Sequence, residues 1–108
     1  MKVHKQVLVL LISSVALFSS YSISADDGAA LYTAKGCMAC HGPDAKTSIM
    51  PAYPNLAGQN AEYLLAQMID IKSGARNNGQ TAVMKGIVAA MSDDELGALA
   101  KYIAGLPK

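Results

Sequence analysis

The alternation of apolar and polar positions divides the chain at about residue 25. Positions 7–18 (VLVLLISSVALF) form one apolar run of 12 residues, preceded by Lys2, His4 and Lys5 and followed by the small residues of SSYSISA. This is the layout of a secretory signal peptide, with cleavage expected after Ala25 and Ser24 as the next site. A membrane anchor needs about 20 apolar residues, and this run already contains Ser13 and Ser14. No cysteine lies near the cleavage site, so a lipid-anchored N-terminus is not expected.

Beyond residue 25 the spacing is helical, with Gly and Pro marking the breaks. Asp26 and Asp27 favour a helix N-terminus, and a short helix is expected over 28–35, stopped by Gly36. Residues 42–58 carry Pro43, Pro51 and Pro54 and read as an irregular loop. A stronger helix is expected over 61–73, with Asn60 as N-cap and Gly74 as its stop. Its residues Tyr63, Leu64, Leu65, Met68, Ile69 and Ile71 cover a wide face, as in a helix buried on more than one side. The polar stretch 75–81 (ARNNGQT) reads as loop, and 82–90 is compatible with either loop or one or two helical turns. Ser92 and Glu95 form a capping box that opens a last helix with Leu96, Leu99, Ala100 and Ile103 on one face. Gly105 and Pro107 end it. No stretch alternates like a strand, so the predicted class is all-α.

Composition sharpens this picture. With the leader removed, about half of residues 26–108 are apolar, many of them alanine, and the remaining aromatics are Tyr32, Tyr53, Tyr63 and Tyr102. Such a thin core in so short a chain calls for a disulfide, a metal or a large apolar cofactor. The chain has 9 Lys+Arg against 8 Asp+Glu; Lys2 and Lys5 leave with the leader, giving the remaining domain a net charge of −1. With neither a basic stripe nor a charge block, nucleic-acid binding has no support.

The residues that carry chemistry are Cys37-Met38-Ala39-Cys40-His41. A Cys-x-x-Cys-His pentad reads as a c-type haem attachment site. Two cysteines three apart on one helical turn reach the two vinyl groups of a haem and form thioethers, and the next residue turns its imidazole to the iron. Gly42 is expected to keep a side chain from crowding that ring. A redox-active disulfide is the first rival, but that chemistry sits at a helix start after a strand, and no strand is expected here. A plain structural disulfide is the second. A zinc site would need three or four ligands, whereas the domain offers two cysteines and one histidine.

Gly28-x-x-x-Tyr32 followed by Gly36-Cys37-Met38-Ala39-Cys40-His41-Gly42-Pro43-Asp44 resembles class I cytochrome c. Pro54-Asn55-Leu56-Ala57-Gly58-Gln59, Lys72-Ser73-Gly74-Ala75-Arg76 and Leu99-Ala-x-Tyr102 extend the resemblance over residues 28 to 106. They point to the bacterial periplasmic branch that includes the two-haem, two-domain cytochromes, of which this chain is similar to one domain. The resemblance implies a small fold of three main helices and short turns around one covalent haem c in a domain spanning 26–108. It also implies that the terminal helices cross closely, with Gly28 and Tyr32 against Leu99 and Tyr102. The implied function is periplasmic, respiratory electron transport rather than enzymatic catalysis. The expected partners are a membrane cytochrome complex and a terminal oxidase or reductase, meeting a monomer without a membrane anchor. A haem-bearing accessory subunit of an oxidase or dehydrogenase complex is the alternative.

His41 is the only histidine left after cleavage, so the sixth iron ligand is sought among the methionines. Met38 lies on the same side of the haem as His41. Met68 sits within a helix on an apolar face, and Met91 stands where the apolar pattern wants a packing residue. Met50 follows His41 by only nine residues, whereas Met84 follows it by 43 with a helix between. Met84 also matches the ligand position of the resembling family, eight residues before Ser92. Met84 is therefore expected as the ligand, with Met91 and Met50 behind it. Tyr53 and Tyr63 are expected either against the haem or in ordinary packing. Lys72, Arg76 and Lys85 are candidates for the haem carboxylates or a partner, or are plain surface charges.

Overall fold

The computed structural model describes residues 25–108; the expected signal peptide falls outside the described residues, apart from Ala25 at its end. Five helices follow one another: α1 (Ala25–Ala34), α2 (Cys37–His41), α3 (Ala61–Ser73), α4 (Thr81–Val88) and α5 (Asp93–Ala104). Among the described residues there is no strand, which agrees with the all-α reading.

Local signals set most of the boundaries. Gly36 (φ 76°) breaks α1 from α2, since the left-handed region costs glycine little. The Asn60 side chain accepts the Tyr63 N–H at 3.0 Å and caps α3, which Gly74 (φ 86°) ends. Ser92 and Glu95 exchange side-chain and backbone bonds of 3.1 Å each, a complete capping box at α5. The segment at 82–90, which the pattern left undecided, is helical from Thr81 to Val88.

The core lies where α5 meets α1 and α3. Tyr32, Leu64, Met68, Ile71, Val88, Met91, Leu96, Leu99, Ala100 and Ile103 are buried in one cluster. Met91 is thus the packing residue its position suggested, and Met68 is core as well. Tyr63 differs: it is 51% exposed, so the wide apolar face of α3 narrows to Leu64, Met68 and Ile71, flanked by half-buried Leu65 and Ile69.

Helices α1 and α5 pack with their backbones close together. A Cβ on Gly28 would stand 2.7 Å from the Tyr102 Cβ and would collide with the Ala98 carbonyl oxygen. Four residues on, the Tyr32 ring packs against Tyr102 with centroids 5.8 Å apart. The expected crossing of Gly28 and Tyr32 over the Tyr102 face is present.

The 42–58 loop is irregular but firmly tied. The buried Ala45 carbonyl accepts from the N–H groups of Leu56 (2.7 Å) and Ala57 (3.1 Å). The Asp44 carboxylate accepts from Lys46 N, Thr47 N and Thr47 Oγ1. These bonds, the Thr47 hydroxyl foremost, pull its pKa down to about 2. At the loop's ends, Tyr32 Oη donates to the Gly42 carbonyl and Gly58 N to the Ile103 carbonyl at 3.1 Å.

Candidate cofactor site

The pentad forms the whole of α2, a helix too short to persist by itself and held by packing on α1. Both Sγ-bearing residues, Cys37 and Cys40, are half-buried and unbridged. Burial pushes the Cys37 thiol above its ordinary pKa, with the neighbouring Cys40 adding to the effect. No group of three or more His, Cys, Asp and Glu side chains gathers among the described residues, so a zinc site has no ligand set.

His41 is 6% exposed, and its Nδ1 lies 3.0 Å from the Pro54 carbonyl oxygen. A carbonyl can only accept, so Nδ1 carries a proton and donates; in the neutral ring this selects the tautomer whose Nε2 keeps the lone pair that a metal-binding imidazole uses. The 42–58 loop thus positions His41 through a residue whose proline character alone was legible in the sequence. Gly42 is required for a further reason: a Cβ there would strike the Thr47 carbonyl, and its φ of 86° independently favours glycine.

Cys37, Cys40 and His41 line a cavity of about 240 Å³ whose walls include Leu56, Leu64, Met68, Ile71, Leu99 and Ile103. The α4 side chains Val83, Met84 and Ile87 line the same cavity. The cavity is thus walled by α2, α3, α4 and α5 together with the 42–58 and 75–80 segments. Of the methionines considered, Met84 and Met68 reach it, and Met68 does so as part of the buried core. Met38 and Met50 are exposed and Met91 is buried elsewhere. Tyr53 lines the cavity with its ring centroid 6.4 Å from that of His41, whereas Tyr63 does not reach it.

The three surface cations separate. Arg76 lines the cavity and donates from Nη1 to Gln67 Oε1 at 3.1 Å. Lys72 is engaged at the junction between α4 and α5. Lys85 is exposed. Arg76 was among the candidates for the haem carboxylates, whereas Pro54 and the pairing of Arg76 with Gln67 were not singled out by sequence reasoning. The prolines of the loop carried the only signal for Pro54, and the pairing depends on α3 and the following turn folding together.

An apolar cavity that brings two thiols, one imidazole and the thioethers of Met68 and Met84 to its walls fits an iron porphyrin. The arrangement defines an all-helical protein built around one such group. The cytochrome c family matches residues 25–107, and the chain belongs to that family. Its cofactor is a covalently bound c-type haem with iron, and one such group fits a single small domain.

The chain is 39% identical over 71 residues to cytochrome c4 of Azotobacter vinelandii, covering 65% of this chain and 34% of that protein. It is 38% identical over 99 residues to the thiosulfate dehydrogenase electron acceptor of Stutzerimonas stutzeri, covering 85% of this chain and 44% of that one. It is 35% identical over 103 residues to cytochrome c-553 of Nitratidesulfovibrio vulgaris, with 94% and 99% covered. Reduced cytochrome c4 from Pseudomonas stutzeri superposes with a TM-score of 0.68 at 34% identity, covering 77% of this chain and 48% of that one. The chain thus spans between a third and a half of the cytochrome c4 and electron-acceptor relatives, and nearly all of cytochrome c-553.

Proposed function

We propose that the protein is a periplasmic electron carrier, released from a signal peptide at residues 1–25 and folded over 26–108 around one haem c. Cys37 and Cys40 hold the haem through thioethers, His41 Nε2 is one axial ligand and the Met84 sulfur is the other. The observation that carries this reading is the His41–Pro54 bond. It leaves Nε2 available beside two thiols in a cavity that Met84 also lines. The bound haem supplies a reversible one-electron couple. The chain's own residues do the rest: Leu64, Ile71, Leu99 and Ile103 exclude water, and Pro54 fixes the imidazole. Two protein ligands on the iron leave no open coordination position for oxygen or peroxide, which favours a carrier over an enzyme. No helix among the described residues is long and apolar enough to cross a membrane. The similarity to an electron acceptor of thiosulfate dehydrogenase supports a role between a dehydrogenase and a membrane cytochrome complex or terminal oxidase or reductase, with short-lived contacts.

The test is the absorption spectrum of the oxidised and reduced holoprotein together with Met84→Ala. The weak far-red sulfur-to-iron band should be present in the wild type and absent in the variant. Met84→Ala should also lower the reduction potential and let carbon monoxide bind the reduced iron. Retention of the band in Met84→Ala overturns the ligand assignment.

A further inference from the structure

Helix α4 has few fastenings of its own. It is eight residues long, Gln80 gives it no side-chain cap, and its first turn carries no acidic residue. Its buried side chains are Thr81 and Val88, while Met84 and Ile87 turn to the cavity. A helix so short and so weakly capped is held by what its neighbours do at its ends.

At the exit of α4 a neighbour does hold it. Lys72, in the last turn of α3, donates from Nζ to the Met91 carbonyl at 2.5 Å and stands 3.7 Å from Asp93 Oδ1. Met91 is 1% exposed and its N–H bonds to the Val88 carbonyl at 3.0 Å. The ammonium therefore grips a carbonyl whose residue is sealed into the core and tied directly to the last residue of α4. Met91 follows Met84 by seven positions, about two helical turns. A hydrogen bond from a charged donor to such a carbonyl is among the stronger ones, and its loss leaves the carbonyl without that partner. The Asp93 contact is different in kind, since that carboxylate is 73% exposed and screened by water.

We propose that Lys72 is a positioning residue for the axial sulfur. By pinning the Met91 carbonyl it fixes where α4 ends, and with it the orientation in which Met84 faces the cavity. This rests on the reading of Met84 as the sixth ligand. Lys72 touches neither haem nor iron in this role; it acts by limiting how readily α4 swings away and gives up the coordination position.

The experiment uses ferric holoprotein and imidazole as the competing ligand, read by loss of the far-red sulfur-to-iron band. Lys72→Met keeps the apolar stem and removes the donors. It should bind imidazole roughly tenfold more tightly than wild type, the order expected for losing a charge-assisted bond. Lys72→Arg should restore most of the wild-type affinity, and Asp93→Asn should leave it nearly unchanged. If Lys72→Met yields too little holoprotein, Lys72→Gln is read in the same way. Wild-type imidazole affinity in a Lys72 variant that has merely lost thermal stability overturns the proposal. So does an effect of Asp93→Asn as large as that of Lys72→Met. Met84→Ala is the separate arm: if it keeps the band, the ligand reading fails, and if it loses the band while Lys72→Met behaves as wild type, only the positioning role fails.

Discussion

Two faces of α5 meet different surroundings. Towards α1, helix meets helix with no room for one added methyl at Gly28, and Tyr32 and Tyr102 fill the crossing. Towards α2 and α4, Leu99 and Ile103 look into a cavity instead of a partner helix. One region is closed by the chain's own atoms; the other offers apolar walls to the haem. The same helix thus supplies one core finished by the chain alone and part of another that is shared with the haem. The protein's stability therefore depends on its cofactor on one side and on backbone proximity on the other.

The sharpest way to break this contrast is to remove the attachment. Cys37→Ala together with Cys40→Ala should leave little folded protein, as read by circular dichroism, because haem burial completes the second core. A stable, colourless fold would show instead that the α1–α5 side suffices. The wild type, by contrast, should keep its colour through acid–acetone extraction.

A smaller effect is expected on the finished side. Gly28→Leu should destabilise the holoprotein by about 1–3 kcal/mol through overpacking, measured by denaturant titration, with the absorption spectrum unchanged. A spectral change of equal prominence would mean that the two regions are not separable.

The smallest effect concerns the bond between the regions. Tyr32→Phe removes the donor to the Gly42 carbonyl and should cost about 1 kcal/mol near neutral pH. Burial, with lesser contributions from Cys37, Tyr102 and Asp44, pushes the Tyr32 phenol up from 10.0 to about 12. A folded pKa raised in this way gives stability that is fully present below pH 10 and lost as pH rises from 10 to about 12. The gap between wild type and Tyr32→Phe should therefore close over that interval, and a pH-independent gap would contradict the assigned environment.

Much of this architecture was legible because it is set by local chemistry. Asn60, Gly74, Ser92 and Glu95 act within a few residues of themselves, so the bounds of α3 and the start of α5 follow from the sequence. The pentad was legible for the same reason: its spacing is its function. Helix α4 was not, because Gln80 offers no side-chain cap and Gly86 weakens the interior; its helicity depends on packing against α3. Tyr63 misled for the opposite reason. It sits beside the apolar stripe in sequence, but the packing surface of α3 is narrower than the stripe. The Pro54 carbonyl could not be read at all, since any residue has one and only the folded loop brings this one to His41.

The Gly28 crossing has a topological consequence. Gly28 and Tyr102 stand at opposite ends of the described chain, so their contact works as a clasp that turns everything between into closed loops. Once the clasp is shut, adding residues to a loop is cheap: each doubling of a flexible loop's length costs only about 0.6 kcal/mol. Asn77, Asn78 and Gly79 are exposed, and Asn78 and Gly79 line the cavity. The border of the cavity can therefore be lengthened or recut by insertion at this turn while the clasp keeps the domain shut.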